Sequence, residues 1–195
     1  MRFIKLLEAI KNRRSINTFK NEPIETDILK EIFTYASWAP THYMKEPWEI
    51  KLYQANGKSK LIDNIIKSYQ RLGMLNSENN PKTIKSIAFM KDFLHQIPHH
   101  AVIYFKKDKD LIKYEEDYAS VSAFIQNAQL VAWSKGIGML WTITPFLHDP
   151  QFAREINLDP DKFKIAAVMQ IGYPSKIPNA KPRISIDEKI ELIEK

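Results

Sequence analysis

The sequence contains no cysteine, which excludes disulfides and thiolate chemistry and fits a reducing compartment. It has only five glycines. Two of them, Gly136 and Gly138, fall in GIGMLWTIT, the one stretch that invites a phosphate-loop reading. They precede a strand-like run, whereas the dinucleotide fingerprint follows a strand and opens a helix. The Walker pattern is absent, and so is the G-x-S-x-G elbow that a serine hydrolase needs. No apolar run approaches the roughly 18 residues of a membrane span. The N-terminal MRFIKLLEAIKNRRS is broken by charge too often to be a secretory signal. A soluble, cytoplasmic protein without a membrane partner is expected.

What is present points to a well-packed globular chain. Of 195 residues, 44% are hydrophobic and 11% aromatic, enough to bury a substantial core in one domain, 1–195, with or without an inserted excursion. The formal net charge is +6, but Lys and Arg are spread along the chain and no basic block is interleaved with aromatics. Nucleic acid is therefore not the expected partner. HQIPHH offers His95, His99 and His100, yet Pro98 intervenes and no carboxylate or cysteine pattern completes a ligand set, so no metal is expected. Glu115, Glu116 and Asp117 read as a solvated helix start.

Hydrophobic spacing outlines the elements. Phe3, Ile4, Leu6, Leu7 and Ile10 form one helical face over 2–12. A second helix runs through IETDILKEIFTYASW, with Thr26 or Asp27 as N-cap, and Pro40 ends it. WEIKLY alternates like a half-buried strand and closes on Asn56-Gly57. Residues 58–97 look helical and polar, with a break around NSENNP. HAVIYFKK, IGMLWTIT and KIAAVMQIGYP are strands. YASVSAFIQNAQLVAWSKG is a long, mostly apolar helix with Gly136 as its C′ residue, and Asp149-Pro150 starts a short helix. The pattern predicts an α+β sandwich around one sheet. The long helix is buried on most sides, and a dimer interface is the natural cover for it in so small a chain.

Three places carry candidate chemistry. Arg13-Arg14-Ser15 puts two guanidiniums and a hydroxyl where the chain turns after a helix, which suits phosphate oxygens, although the motif taken alone favours a solvated basic corner that neutralises the helix C-terminus. Lys181-Pro182-Arg183 is a second basic pair far away in sequence. SWAPTHYMKEPWEI, from Ser37 to Ile50, concentrates two indoles and an imidazole in a corner. Cations that bind phosphate, aromatic walls and no acid, base or nucleophile set are what a cofactor-carried chemistry leaves to the protein.

RRSINTFKNEPI, ASWAPTHYMKEPWEI, NAQLVAWSKGIGMLWTIT and MQIGYP with KPR, in this order and spacing, resemble the flavin-dependent nitroreductase family, with residues 56–98 matching poorly where such proteins vary. The resemblance implies a central, mostly antiparallel sheet flanked by helices, with the long helix at a homodimer interface that holds FMN. It implies that Arg13, Arg14 and Ser15 reach the FMN phosphate and ribityl chain, and that Lys181 and Arg183 form a second phosphate clamp. Trp38, Thr41 and His42 are placed beside the flavin ring from the partner chain, and Trp141, Thr142 and Ile143 lie against it with a backbone N–H near N5. Val131, Ala132, Trp133, Ser134, Lys135 and Gly136 fall where relatives contact the nicotinamide nucleotide. NADH or NADPH is the implied reductant, and a nitroaromatic, quinone or similar small molecule is the implied electron acceptor. The sequence departs from the family pattern in three places. Asn17 stands where a second cation is common, and Met44 and Glu46 replace amides before Pro47-Trp48. These departures motivate the alternative of a flavin carrier or sensor without turnover.

Overall fold

The computed structural model describes residues 6–75 and 80–194. Phe3 and Ile4, and most of the NSENNP break, lie outside them. The chain folds as α1 (Leu6–Asn12), α2 (Thr26–Ala36), β1 (Glu49–Gln54), α3 (Gly57–Arg71), α4 (Pro81–Gln96), β2 (His99–Lys106), α5 (Leu111–Ser134), β3 (Gly138–Thr142), α6 (Pro150–Glu155) and β4 (Phe163–Gly172). The four strands form one sheet in the order β1-β2-β4-β3, and every pair is antiparallel.

Strand alternation divides the core into two halves. Ala101, Ile103, Phe105, Met139 and Met169 face α2 and α5, where they meet Leu29, Ile32, Phe124 and Ile125. Val102, Tyr104, Ile165 and Val168 face the other way, onto Leu61, Ile62 and Ile65 of α3, Leu94 of α4 and Phe152 of α6. Phe124 sits at the centre of the first half, stacked on Trp48 at 5.0 Å and on Phe33 at 6.1 Å between ring centroids. Trp48 thus anchors the start of β1, and its part of the aromatic corner is structural.

Several local expectations are refined. The N-cap of α2 is Glu25, which makes no side-chain cap bond. Thr26 is already helical, and its hydroxyl meets the Gln54 amide at the end of β1 at 3.2 Å instead. A turn at Ala55-Asn56 closes β1 as expected, and Gly57 opens α3 directly after it. α5 starts seven residues earlier than its apolar run, because Asp110 caps it by accepting from the Ile112 N–H at 2.9 Å. Gly136 ends α5 at φ +74, and Ile137 N–H closes the terminus onto Ala132 O at 2.9 Å. Among the described residues after Pro174, the tail has no regular structure apart from one short turn at Ile186–Glu188.

Candidate functional site

The segment after α1 is laid along the end of the sheet. Ile16 N–H donates to Met139 O, Lys20 N–H to Tyr173 O, and Ser175 N–H to Thr18 O, so the segment threads between the start of β3 and the end of β4. Gly138 and Gly172 face each other across β3 and β4. A methyl group on Gly138 would stand 2.6 Å from Ile16, and one on Gly172 would stand 2.9 Å from Phe19. The two glycines therefore admit Ile16 and Phe19, and burial of Ile16 turns Ser15 and Asn17 outward on the alternate positions.

Next to this segment lies an open hollow of about 510 Å³ lined by Arg13, Ser15, Gln126, Gln129, Trp141 and Ile143. Trp141 and Ile143 are alternate residues and face it together. Thr142 between them turns to the opposite face of the sheet, where its hydroxyl donates to Val168 O at 2.6 Å. Arg13 is half-buried. Burial, then the charges of nearby Arg183 and Arg14, lower its pKa from the ordinary guanidinium value. The tail cation Arg183 is thus brought back beside a residue 170 positions earlier. Arg14 is partly occupied already. Its Nη1 donates to Lys11 O at 2.9 Å and to Arg13 O at 2.8 Å, which caps the C-terminus of α1. Arg13 Nε and Trp141 Nε1 are buried donors without a partner among the described residues. Unsatisfied donors beside converging cations suit an acceptor-rich anion with a planar, apolar part.

Gln126 and Gln129 are residues of the hollow that sequence reasoning missed. Their i,i+3 spacing on an otherwise apolar helix was the available signal, since a polar pair on one face of such a helix needs a partner.

The Trp38–Lys45 corner is held away from this hollow. His42 Nδ1 lies 2.9 Å from Glu116 Oε1, and Lys45 Nζ lies 2.5 Å from the buried Asp117 carboxylate. The acidic run is therefore not a solvated helix start: two of its members clamp the loop to α5. The clamp holds a tightly wound backbone, with Tyr43, Met44 and Glu46 all at positive φ. Thr41 Oγ1 accepts from Glu46 N–H at 3.0 Å. Trp38 and Tyr43 are 84% and 93% exposed, so neither is spent on the core. Glu116 precedes Gln126 by ten residues of continuous helix, about 15 Å of rise. Within one chain, Trp38, Thr41 and His42 are not brought to the hollow.

Val131 to Gly136 serve the end of α5 in this structure. Ala132 is fully buried, Ser134 Oγ donates to Val131 O at 2.7 Å, and Lys135 pairs with Glu31 at 2.8 Å. Lys181 lies exposed on the tail. The histidines of HQIPHH have separate structural roles. His99 Nε2 accepts from Ile24 N–H at 2.8 Å, and His100 Nε2 lies 3.1 Å from Leu94 O. Burial lowers both pKa values to about 4, with the Lys58 charge contributing. No group of three metal-ligating side chains occurs among the described residues, and no helix among them is long and apolar enough to cross a membrane.

Comparison with known proteins bears on the family and the fold. The model of the nitroreductase family matches residues 10–173. YfhC of Bacillus subtilis, named as an NAD(P)H nitroreductase, is 32% identical over 186 residues, 94% of this chain and 92% of its own. The iodotyrosine deiodinase of Hydra vulgaris is 28% identical, over 87% of this chain and 66% of its own. The crystal structure of a nitroreductase-like family protein from Bacillus cereus superposes with a TM-score of 0.89 at 34% identity, over 100% of this chain and 99% of that one. A nitroreductase-type structure from Desulfovibrio desulfuricans in complex with FMN shares the fold, with a TM-score of 0.75 at 16% identity over 97% and 98% of the two chains. By family match, sequence identity and fold together, the chain belongs to the nitroreductase family.

Proposed function

We propose that the protein is an FMN-dependent oxidoreductase that uses NADH or NADPH to reduce a nitroaromatic, a quinone or a similar small acceptor in a ping-pong cycle. The observation that carries this reading is Arg13 in the wall of an aromatic-sided hollow with Arg183 drawn beside it. FMN, when bound, supplies the two-electron chemistry, and the protein supplies binding, orientation and charge. Arg13 and Arg183, with Arg14 and Lys181 nearby in sequence, hold the phosphate, and Ser15 adds a short donor. Trp141 and Ile143 form the wall against which the ring lies, and the orphaned Arg13 Nε and Trp141 Nε1 find acceptors on the cofactor. Gln126 and Gln129 add amides from α5. At Asn17 the chain would offer bound FMN an amide and no charge, where a cation would favour added negative charge on the ring.

The reading includes a homodimer. Leu6, Leu7, Ile10 and Trp38 on the α5 side, and Ile184, Ile186, Leu192 and Ile193 on the tail, are all more than half exposed in the single chain. Exposed apolar side chains of this number are what a partner surface can cover. A second copy covers them and delivers Trp38, Thr41 and His42 to the hollow that their own chain cannot reach.

Absorbance of the purified protein tests the cofactor. Oxidised-flavin bands are expected, and a colourless protein that cannot be reconstituted with FMN overturns the proposal. Anaerobic mixing with NADPH or NADH tests the activity, and rapid bleaching is the expected result. A flavin that stays oxidised favours the carrier or sensor reading that Asn17, Met44 and Glu46 motivate. An acceptor panel of nitroaromatics, quinones and an iodotyrosine then sorts the substrate class.

A further inference from the structure

The face of the sheet opposite the hollow contains a separate cavity of about 160 Å³. It lies between the strands and the α3–α4 pair and is closed by the short turn at Pro145–His148. Most of its wall is apolar or aromatic: Ile65, Tyr69, Met90, Phe93, Phe146 and Val168. Two of its lining residues carry a buried polar atom with no partner among the described residues, His100 Nδ1 and Gln170 Oε1, whereas the Thr144 hydroxyl lies within hydrogen-bond reach of the Tyr69 phenol. His100 and Gln170 are direct cross-strand partners in the β2–β4 register, so their side chains stand side by side on this face.

The chemistry of the pair is definite. His100 Nε2 lies 3.1 Å from Leu94 O, so it carries the ring hydrogen and Nδ1 is a bare lone pair. The ring stays neutral at physiological pH, because burial holds its pKa at about 4. Gln170 Oε1 is a second bare acceptor beside it. Leaving such buried acceptors unmatched costs about 1–3 kcal/mol each, so the arrangement calls for a donor. Among the described residues no Lys, Arg, Asp or Glu lines the cavity, so it offers no counter-charge to an ion and favours a neutral occupant. An apolar cavity of about 150 Å³ accommodates benzene, so the space suits one aromatic ring. Water is a poor filler here: the volume admits about five molecules, each wanting two to four polar partners, and the wall is mainly hydrocarbon.

We propose that this cavity is a second ligand site, which takes a neutral phenol-sized aromatic whose hydroxyl donates to the His100 and Gln170 acceptors. The inference is independent of the flavin reading, because no residue of the hollow lines this cavity. Thr142 and Trp141 are adjacent on β3, so the two sites share a strand but lie on opposite faces of it.

A fluorine NMR titration of the purified protein, as isolated, tests the site with 4-fluorophenol and fluorobenzene. Saturable binding of 4-fluorophenol is expected, about tenfold tighter than that of fluorobenzene, the worth of one neutral hydrogen bond. Gln170→Met, which leaves His100 Nδ1 as the remaining acceptor, is expected to reduce that preference while fluorobenzene still binds, which also shows that the variant is folded. Thr144→Leu, at a turn whose hydroxyl makes no cap bond, fills the space and is expected to weaken both probes. Absent saturable binding overturns the site. So does equal affinity for the two probes, or binding that neither variant alters; the last result places the phenol elsewhere, and in the hollow if it also perturbs the flavin spectrum.

Discussion

On one face of the sheet, α3, α4 and α6 bury Leu61, Ile62, Ile65 and Phe152, and Arg71 ties α3 to Asp149 at 2.7 Å and to Glu155 at 3.0 Å. On the other face, α2 and α5 bury Phe33, Trp48 and Phe124 at the centre but leave Leu7, Trp38 and the tail isoleucines in water. The first face is packed around α3 and α6 within one chain, although the outer side of α4 leaves Ile84 and Phe89 exposed. The second has a finished core and an exposed margin, and the hollow lined by Arg13 and Gln129 lies on this side, within reach of the Arg183 charge. The contrast teaches that, in this chain, stability and the candidate site are largely separate: the site sits where packing stops.

Four substitutions or titrations break or sharpen that contrast. Phe124→Ala strikes the finished core beneath the hollow and should cost about 3–5 kcal/mol in urea unfolding, from lost transfer energy plus the cavity left behind. A loss below 1 kcal/mol would mean that the Trp48–Phe124–Phe33 stack is not the centre of this half.

The second concerns the buried histidines. His100 has a folded pKa of about 4 against about 6.5 when unfolded. The unfolded chain therefore binds the extra proton first as pH falls. The contribution is fully present above pH 6.5 and is lost progressively between pH 6.5 and 4, by at most about 3 kcal/mol. His99 acts in the same direction, since protonating Nε2 breaks its bond from Ile24 N–H. Denaturant midpoints at pH 7 and pH 4.5 measure the sum, and His100→Leu should flatten the slope.

The third change moves to the margin. Arg13→Ala or Arg183→Ala should weaken FMN binding about 10–100-fold, the range of one charge-assisted hydrogen bond, with little change in the stability of the flavin-free protein. Fluorescence quenching of FMN reads the affinity. Equal affinity for wild type and both variants would remove these residues from the cofactor site.

The smallest effect on stability is expected at His42. Its pair with Glu116 is half-exposed and worth about 0–1 kcal/mol. His42→Ala should therefore fold normally, and under the proposed dimer, in which the imidazole serves the partner copy's hollow, it should lose flavin affinity or NAD(P)H oxidation. If both survive, the loop from Trp38 to Met44 has been assigned wrongly.

Much of this was legible in the residues. Gly136, Asp149-Pro150 and the four strands stand where their local chemistry puts them, because a C′ glycine, a capped helix start and a β-branched run act over a few residues. The basic pair Arg13-Arg14 was legible as a candidate, but its division of labour was not. Arg14 turns back to cap α1, while Arg13 faces the hollow. Glu116 and Asp117 looked like solvent-facing charge because their partners His42 and Lys45 lie some seventy positions earlier. Thr142 looked equivalent to Trp141 and Ile143 until the strand's alternation turned it to the opposite side.

By itself the sequence determined the elements, the absence of thiol chemistry, and the family pattern, since these depend on composition, spacing and near neighbours. Only the tertiary structure decided that Arg183 joins Arg13, that Gln126 and Gln129 share their hollow, and that His100 and Gln170 stand together over an apolar cavity. Such meetings depend on strand register and helix packing, which bring together residues that no local pattern connects.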